Sequence, residues 1–421
     1  MEAVAGLDIG SSHIVVAAAV SGSRTPAEPF GGVLRFGYAG SMGMRRGQVK
    51  DVSSLGRSIS EALKMAEAAA GVKLQNVYMG IPAHSVQCEI KKSGNVIGRG
   101  RRITGQDIER VKRLALVSDL PPGRRVIQII PIEYSVDGAP AVGEPSGLLC
   151  SRLDLESLVI TADNQLVEHL VQAVGGAGLR VVDYLPSPLA VGEAVVKRTQ
   201  RQLGAVLVDI GSSSTSIVFY NHGKSLGIDV LPLGSDHITS DLAICLRTTI
   251  EGAEEVKLKI GLGPAESVQP EGPAGGGAGI ISVPRLSGSG FNDVPLETAV
   301  RIVEARVSEM LDMVKASLAG LSGRHGFPGG LILAGGGSRL KGMGTFTSKY
   351  TGCQVELGAL NTTQGGARES VLETNADLTV NVAGAAGLLK YFLKTGSVAK
   401  AGQQQPQDLW SKVRGIFWAS K

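Results

Sequence analysis

The chain has 421 residues, 43% of them hydrophobic and 19% charged, with a formal net charge of +4; it is long enough for two or more globular domains and too weakly basic to be built for nucleic acid. Its four cysteines, Cys88, Cys150, Cys245 and Cys353, have neither metal nor redox spacing, which argues against a structural zinc site and fits buried thiols of a reducing compartment. No apolar run approaches the ~18 to 20 residues of a membrane-spanning helix, and the first strand starts without an export-signal pattern ahead of it, so a cytoplasmic protein is expected.

Val4 to Leu7 lead into Asp8-Ile9-Gly10-Ser11-Ser12, and Ile14 to Val20 leave it, a pattern of strand, glycine turn, strand. Such a bend offers backbone N–H groups and serine hydroxyls to phosphate oxygens, and the aspartate before it can hold Mg²⁺ through water. A single copy is also ordinary hairpin chemistry. A helix follows from Leu55 to Ala70, with Leu55, Ile59, Leu63, Ala66 and Ala70 on one stripe. From Ala83 a separate unit is predicted: strand Ser85 to Ile90, helix Asp107 to Val117 capped by Thr104, and strands Val126 to Tyr134 and Leu155 to Ala162. Its basic cluster Arg99, Arg101 and Arg102 reads as a partner site or a solvated charge run. Asn164 to Val196 supplies two helices and the strand Arg180 to Leu185, and Gln200 to Gly204 is a crossing.

Ala205 to Val208 then enter Asp209-Ile210-Gly211-Ser212-Ser213, and Ile217 to Tyr220 leave it. Two copies in the same strand context point to a two-lobed nucleotide clamp. The helix Ser235 to Leu246 precedes a segment Ala253 to Ile260, where Glu254 and Lys257 are three apart and neighbours on one helix face; the plain reading is an exposed pair. Gly263 to Gly290, rich in Gly, Pro and Ser, reads as a loop. The helix Leu296 to Leu321 presents Val303, Val307, Met310, Val314 and Leu318 as a core face, and the strand Leu331 to Ala334 runs into Gly335-Gly336-Gly337-Ser338. From Thr395 the texture becomes that of a tether. Behind it, Leu409, Trp410, Val413, Ile416 and Phe417 share one helical face, with Lys412 off it, Arg414 at its flank and Trp418 outside the pattern. This is a lipid-binding helix or one that docks on its own protein.

The order of the three glycine motifs is similar to that of the actin, heat-shock chaperone and hexokinase superfamily. Within it the chain resembles the FtsA family of bacterial cell-division proteins, through Arg46-Gly47-Gln48-Val49-Lys50-Asp51-Val52, Val77-Tyr78-Met79-Gly80-Ile81, Ile130-Pro131-Ile132-Glu133-Tyr134, Thr239-Ser240-Asp241-Leu242-Ala243, Ala253-Glu254-Glu255-Val256-Lys257 and Ala383-Gly384-Ala385-Ala386-Gly387-Leu388-Leu389. The resemblance implies an α/β, two-lobed actin-like ATPase fold with an inserted 1C (SHS2-like) subdomain and a C-terminal amphipathic helix. In residues, the first lobe is 1–82 and 164–199, the insert 83–163, the second lobe 200–243 and 328–394 with its smaller subdomain 244–327, the linker 395–406 and the membrane helix 407–421.

The same resemblance implies ATP and Mg²⁺ as ligands. Asp8 and Asp209 would organise the metal and the attacking water, and Gly10, Ser11, Ser12, Gly211, Ser212 and Ser213 would cradle the phosphates. Glu254 and Lys257 would meet ribose and base, and Gly335, Gly336, Gly337 and Ser338 would border the adenosine. Actin and the chaperone ATPases carry Gln or Glu where this chain has Ser187, so slow hydrolysis is expected and ATP is expected to act chiefly as a conformational and polymerisation ligand. Implied partners are the FtsZ C-terminal tail, other copies of the chain in filaments, late division proteins through the 1C subdomain, and anionic lipids of the cytoplasmic face at the division site. Arg306 matches a basic position at the FtsZ surface or is a solvated helix residue, and the family's basic loop is replaced by Gly288-Ser289-Gly290-Phe291-Asn292. The alternatives are a PilM-like component of type IV pilus assembly, which binds a membrane-protein peptide, and a sugar kinase, whose signature the chain does not resemble.

Overall fold

The computed structural model describes residues 4–19, 34–116, 120–263, 279–287, 289–322, 326–360 and 382–395. The chain forms two compact units, Met1–Pro82 with Asp163–Ala194 and Leu360–Lys421, and Ala83–Ala162 with Val195–Ala359. Elements are numbered along the chain.

The first unit is built on a five-stranded sheet in the order β11-β6-β1-β2-β3, comprising β1 (Val4–Ile9), β2 (His13–Ala19), β3 (Leu34–Gly40), β6 (Asn76–Ile81) and β11 (Arg180–Pro186). β1 and β2 are an antiparallel hairpin, whereas β6 runs parallel to β1 and β11 parallel to β6. Register places Gly6 opposite Ala17 and Ala17 opposite Phe36 on one face, and Leu7, Val16 and Gly37 on the other. Helices cover both faces, which is why the central strands are apolar without alternation. On the Gly37 face lies α1 (Val52–Ala70), capped by Asp51 through the N–H groups of Ser53 and Ser54 and ended by left-handed Gly71. Its buried stripe is the expected one with Ala62 added and Ala70 only half-buried. α3 (Asn164–Gly176) packs beside α1, and α4 (Ser187–Val195) follows β11 directly.

The other face holds α10 (Ala383–Lys394), which packs on β1, β2 and β6. Phe392 on it stacks on Tyr78 with ring centroids 4.1 Å apart. This corrects the expected boundary: residues 383–394 close the first sheet rather than completing the second lobe. The cause is steric, since Gly6 of β1 presents bare backbone on which the Ala385 carbonyl rests. A short hairpin of β4 (Met44–Arg45) and β5 (Gln48–Val49) joins β3 to α1.

The second unit repeats the plan. Its sheet runs β14-β13-β12-β17-β18, with β12 (Ala205–Ile210) and β13 (Thr215–Asn221) as the hairpin, β14 (Lys224–Leu231) as third strand, and β17 (Leu331–Ala334) and β18 (Val355–Leu357) added in parallel. The helices are α5 (Arg198–Leu203), where only a crossing was expected, α6 (Ser235–Leu246), α7 (Ile250–Ile260), α8 (Leu296–Ser322) and α9 (Met343–Thr351). Val303, Val307, Met310, Val314 and Leu318 of α8 are core residues. The loop expected over residues 263–290 holds instead β15 (Ile280–Pro284), which pairs with β16 (Phe291–Pro295). Ile281 and Val283 point into the core while Ile280 is exposed, a period-two pattern too short to stand out beside so much glycine.

The inserted segment forms a four-stranded sheet, β7-β10-β8-β9, of β7 (Gln87–Arg102), β8 (Arg124–Val136), β9 (Ala139–Ala141) and β10 (Leu149–Asp163). Ile97, Ile103, Tyr134, Leu153 and Leu155 pack with Ile108 and Val111 of α2 (Gly105–Leu114). Thr104 and Asp107 form a capping box at the start of α2. The basic cluster is largely committed: Arg101 pairs with Asp107 at 2.6 Å and Arg102 donates to the Gly147 carbonyl at 2.8 Å, while the Arg99 side chain lies outside the described residues. Arg101 first, then Thr104, holds the Asp107 carboxyl far below the usual carboxylate range. A lowered folded-state pKa stabilises above the ordinary value of 3.8 and is lost as pH falls further. Asp107→Ala is therefore expected to cost about 1–2 kcal/mol at pH 7. In urea unfolding followed from pH 7 to pH 2, the gap to wild type should close below about pH 4; a gap that stays constant would assign the loss to packing.

Candidate functional site

In the first unit the hairpin turn is closed by the Gly10 N–H, which donates to the His13 carbonyl at 2.9 Å. Ser11 and Ser12 stand at the tip: Ser11 Oγ accepts the Gly47 N–H at 3.0 Å, and Ser12 Oγ meets His13 Nδ1 at 2.9 Å. Gly10 thus shapes the turn, and an anion would be met by the serines. Asp8, near the end of β1, accepts the Ser187 hydroxyl on Oδ1 at 2.8 Å. A methyl group on Gly80 would fall 2.6 Å from Ser187 Oγ and 2.9 Å from Asp8 Oδ1, and one on Gly384 would overlap Asp8 Oδ2. The aspartate sits in a slot made by two glycines. Burial raises its pKa, and the Ser187 hydrogen bond opposes that only in part. A desolvated carboxylate in such a slot suits a cation held through water. Gly80 and Gly384 belong to runs noted in the sequence, yet nothing local marks their role, because the slot joins residues 8, 80, 187 and 384.

In the second unit the equivalent bond runs from the Gly211 N–H to the Ser214 carbonyl at 2.9 Å. The first N–H groups of α6, from Ser235 and Asp236, donate to the carbonyls of Gly211 and Ser212 at 2.9 Å each. Gly234 permits this approach, since a methyl there would overlap the Ser212 carbonyl oxygen. Asp209 lies next to the triple-glycine loop: Gly335 is left-handed (φ 80), and a methyl on it would stand 2.5 Å from Asp209 Oδ1 and overlap the Ile210 carbonyl oxygen. A methyl on Gly337 would overlap the Ile210 side chain, and Gly336 opens a single tight turn to Arg339. Ser338 donates its hydroxyl to the Gly335 carbonyl at 2.7 Å. One unit therefore gathers Asp209, the Gly211-Ser212-Ser213 turn and the Gly335 loop. Gly335→Ala is expected to cost about 2 kcal/mol or more, through both the positive φ and the overlap, and to shift Asp209. Thermal melting with and without MgATP checks this, and an unchanged melt would refute the fit.

Glu254 and Lys257 differ from the plain reading. Lys257 is only 7% exposed, with Nζ 2.6 Å from Glu254 Oε2 and donating to Thr239 Oγ1 at 2.9 Å. Thr239 in turn donates to Glu254 at 2.6 Å. A buried ammonium with two oxygen partners holds α7 on α6 and fixes the Glu254 carboxylate in place. Asp236, missed by sequence reasoning, joins this group: burial raises its pKa most, with Lys257 lowering and Glu254 raising it. Arg306 is half-buried and paired. Its Nε and Nη2 donate to the Asp241 carboxylate at 2.6 and 3.0 Å, and Nη1 pairs with Glu309, a fork geometry that clamps α8 to α6 and raises its pKa further. The tail residues Leu409, Trp410, Lys412, Val413, Arg414, Ile416 and Phe417 lie outside the described residues, as does Gly288. Of the thiols expected to be buried only Cys150 is, and Cys245 on α6 is exposed; among the described residues no three His, Cys, Asp or Glu side chains converge as a metal cage, and no helix is long and apolar enough to cross a membrane.

Two sheets of the same strand order, each opening on an Asp-x-Gly-Ser-Ser hairpin, define an actin-like protein. The structure is similar to a chain of the PilM-PilN type IV pilus biogenesis complex, with a TM-score of 0.62 and 19% identity over 94% of this chain and 98% of that one. It is also similar to MreB5 of Spiroplasma citri bound to ADP, with a TM-score of 0.53 and 12% identity over 96% and 99%. At these identities the likeness is one of fold. Residues 206–375 match the family described as cell division protein FtsA, and residues 85–161 match the SHS2 domain inserted in FtsA. Cell division protein FtsA of Bacillus subtilis is 29% identical over 345 residues, 81% of this chain and 75% of that protein. FtsA of Pseudomonas aeruginosa is 29% identical over 362 residues, 86% and 84%. The chain belongs to the FtsA family of cell-division proteins.

Proposed function

We propose that the chain is an ATP-binding, polymerising division protein that tethers FtsZ filaments to the inner face of the cytoplasmic membrane and recruits later division proteins through its insert. The observation that carries the ATP reading is the duplicated hairpin, each copy with an aspartate set against glycines that leave no room for a side chain. Asp8 and Asp209 suit Mg²⁺ held through water, since Mg²⁺ keeps waters and phosphate oxygens as ligands and does not need a protein cage. Bound ATP would supply the charge that the hairpin serines meet. Glu254 and Lys257, fixed by Thr239, suit the ribose and base. Ser187 holds Asp8 and offers neither amide nor carboxylate to orient water, which supports slow hydrolysis with ATP acting as a conformational and polymerisation ligand.

Membrane attachment would rest on the sequence Asp408 to Trp418, whose apolar residues and two cations would bind lipid weakly as a helix, so useful avidity needs several copies in a filament. The FtsZ tail would dock on the smaller subdomain of the second lobe. Arg306 there is held by Asp241 and Glu309, so its part is to set α8 in position. Co-sedimentation of FtsZ with anionic liposomes tests the whole reading. Expected is FtsZ in the pellet with the full chain and ATP, and in the supernatant with a chain ending at Pro406. Pelleting that ignores the truncation, or none with the full chain, counts against the tether.

A further inference from the structure

The link between β3 and α1 is fastened to the first hairpin at two points. Ser41 donates its N–H to the Ser12 carbonyl at 2.9 Å, and Gly47, in the β4–β5 turn, donates its N–H to Ser11 Oγ at 3.0 Å. The turn is rigid. Met44 is buried, and the Gly43 carbonyl takes the N–H groups of both Lys50 and Asp51, at 2.7 and 3.2 Å. Gly43 is left-handed (φ 84) and a side chain on it would overlap the Asp51 carbonyl oxygen, while Asp51 is itself fixed as the cap of α1.

At the tip of this turn stands Arg46, also left-handed, with φ 49. That region suits glycine or asparagine, and a long side chain there is uncommon. Arg46 and Gly47 (φ 49 and 72) form the two-residue loop between the paired Arg45 and Gln48, and a hairpin this tight requires positive φ at both positions. Arg46 is exposed, and among the described residues it has no ion-pair or hydrogen-bond partner. Ser41 Oγ, on the same link, is buried and without a hydrogen-bond partner.

We propose that Arg46 is a phosphate-binding residue, its guanidinium pairing with the terminal phosphate of ATP held at the first hairpin. The inference rests on the ATP reading above. The fork of a guanidinium matches phosphate oxygens in two-point contact, and the Gly47 to Ser11 bond makes the turn move with the hairpin that would hold the nucleotide. A rigid support for the cation lowers the ordering needed on binding.

Calorimetric titration of the full chain with MgATP and MgADP provides the test, in wild type, Arg46→Asn and Arg46→Lys. Asparagine favours the left-handed turn, so Arg46→Asn should melt at or above the wild-type temperature. It is expected to weaken ATP binding about tenfold or more and ADP binding by less than roughly threefold, with Arg46→Lys between wild type and Asn for ATP. Unchanged ATP affinity in Arg46→Asn, or equal losses for ATP and ADP, overturns the role of Arg46 while leaving ATP binding intact. A wild-type chain that binds neither nucleotide overturns the ATP reading and this inference together.

Discussion

Asp8→Asn is expected to raise the melting temperature of the nucleotide-free protein and to remove most of the stabilisation that MgATP adds. Burial lifts the Asp8 pKa above the ordinary 3.8, so folding disfavours the ionised form relative to the unfolded chain. For a group whose folded pKa is raised, the stabilising contribution is present below the unfolded pKa and is lost as pH rises through the folded one. At neutral pH the ionised carboxylate is therefore a liability in the free protein. Asparagine keeps an oxygen to accept the Ser187 hydroxyl, fits the slot beside Gly80 and Gly384, and removes the charge. A gain of about 1 kcal/mol is expected, against a loss of tenfold or more in MgATP affinity, roughly 1.4 kcal/mol. Thermal melts with and without MgATP measure both. A nucleotide-free Asp8→Asn chain that melts below wild type would mean that the carboxylate already has a stabilising partner.

Gly387→Ala should be the most damaging small substitution in the first unit. The added methyl would overlap the backbone carbonyl of Ala190 on α4. Both elements meet through main chain, so no rotamer change relieves the overlap, and α10 must lift from a sheet on which Ala385 already rests against Gly6. A cost of about 3 kcal/mol or more is expected. The sign is what makes the test sharp, because Gly to Ala within a helix ordinarily stabilises by ~0.5–1 kcal/mol. Gly175 in α3, with nothing within 4 Å of the position of an added methyl, serves as the control and should show that ordinary gain. Urea unfolding of the two variants should move in opposite directions, and a Gly387→Ala chain as stable as wild type would show that α10 does not pack as described.

The features legible in the sequence were those with local causes. The hairpins could be read because Asp-Ile-Gly-Ser-Ser follows an apolar run both times, α1 because Leu55, Ile59, Leu63 and Ala66 keep one stripe, and the start of α2 because Thr104 and Asp107 are spaced for a cap. β7 was read only to Ile90. Its continuation, Lys91-Lys92-Ser93-Gly94-Asn95, is polar and becomes a strand through pairing with Ser157 to Leu153 of β10. α10 was assigned to the wrong body for a related reason: a helix of Ala, Gly and Leu buried almost all round has no polar stripe to show which way it faces. Of the candidate site, the phosphate turns and the glycine loop were visible as motifs. The slot around Asp8 was not, since four distant stretches make it. The plain alternative for Lys257 and Arg306, a solvated helix charge, does not hold, and the sequence could not show this because their partners, Thr239 and Asp241, come from a different helix.

The return of α10 to the first sheet has a consequence for synthesis. β1 leaves the ribosome long before residues 383–394, and its Gly6 face and the Asp8 slot stay open until that helix has emerged. The sheet of the second unit, complete by residue 357, has all its strands earlier. Domains usually fold in the order they are made, whereas here β1 must wait for a helix made after the whole second sheet, so a nascent chain acquires the Asp8 slot later than the Asp209 turn.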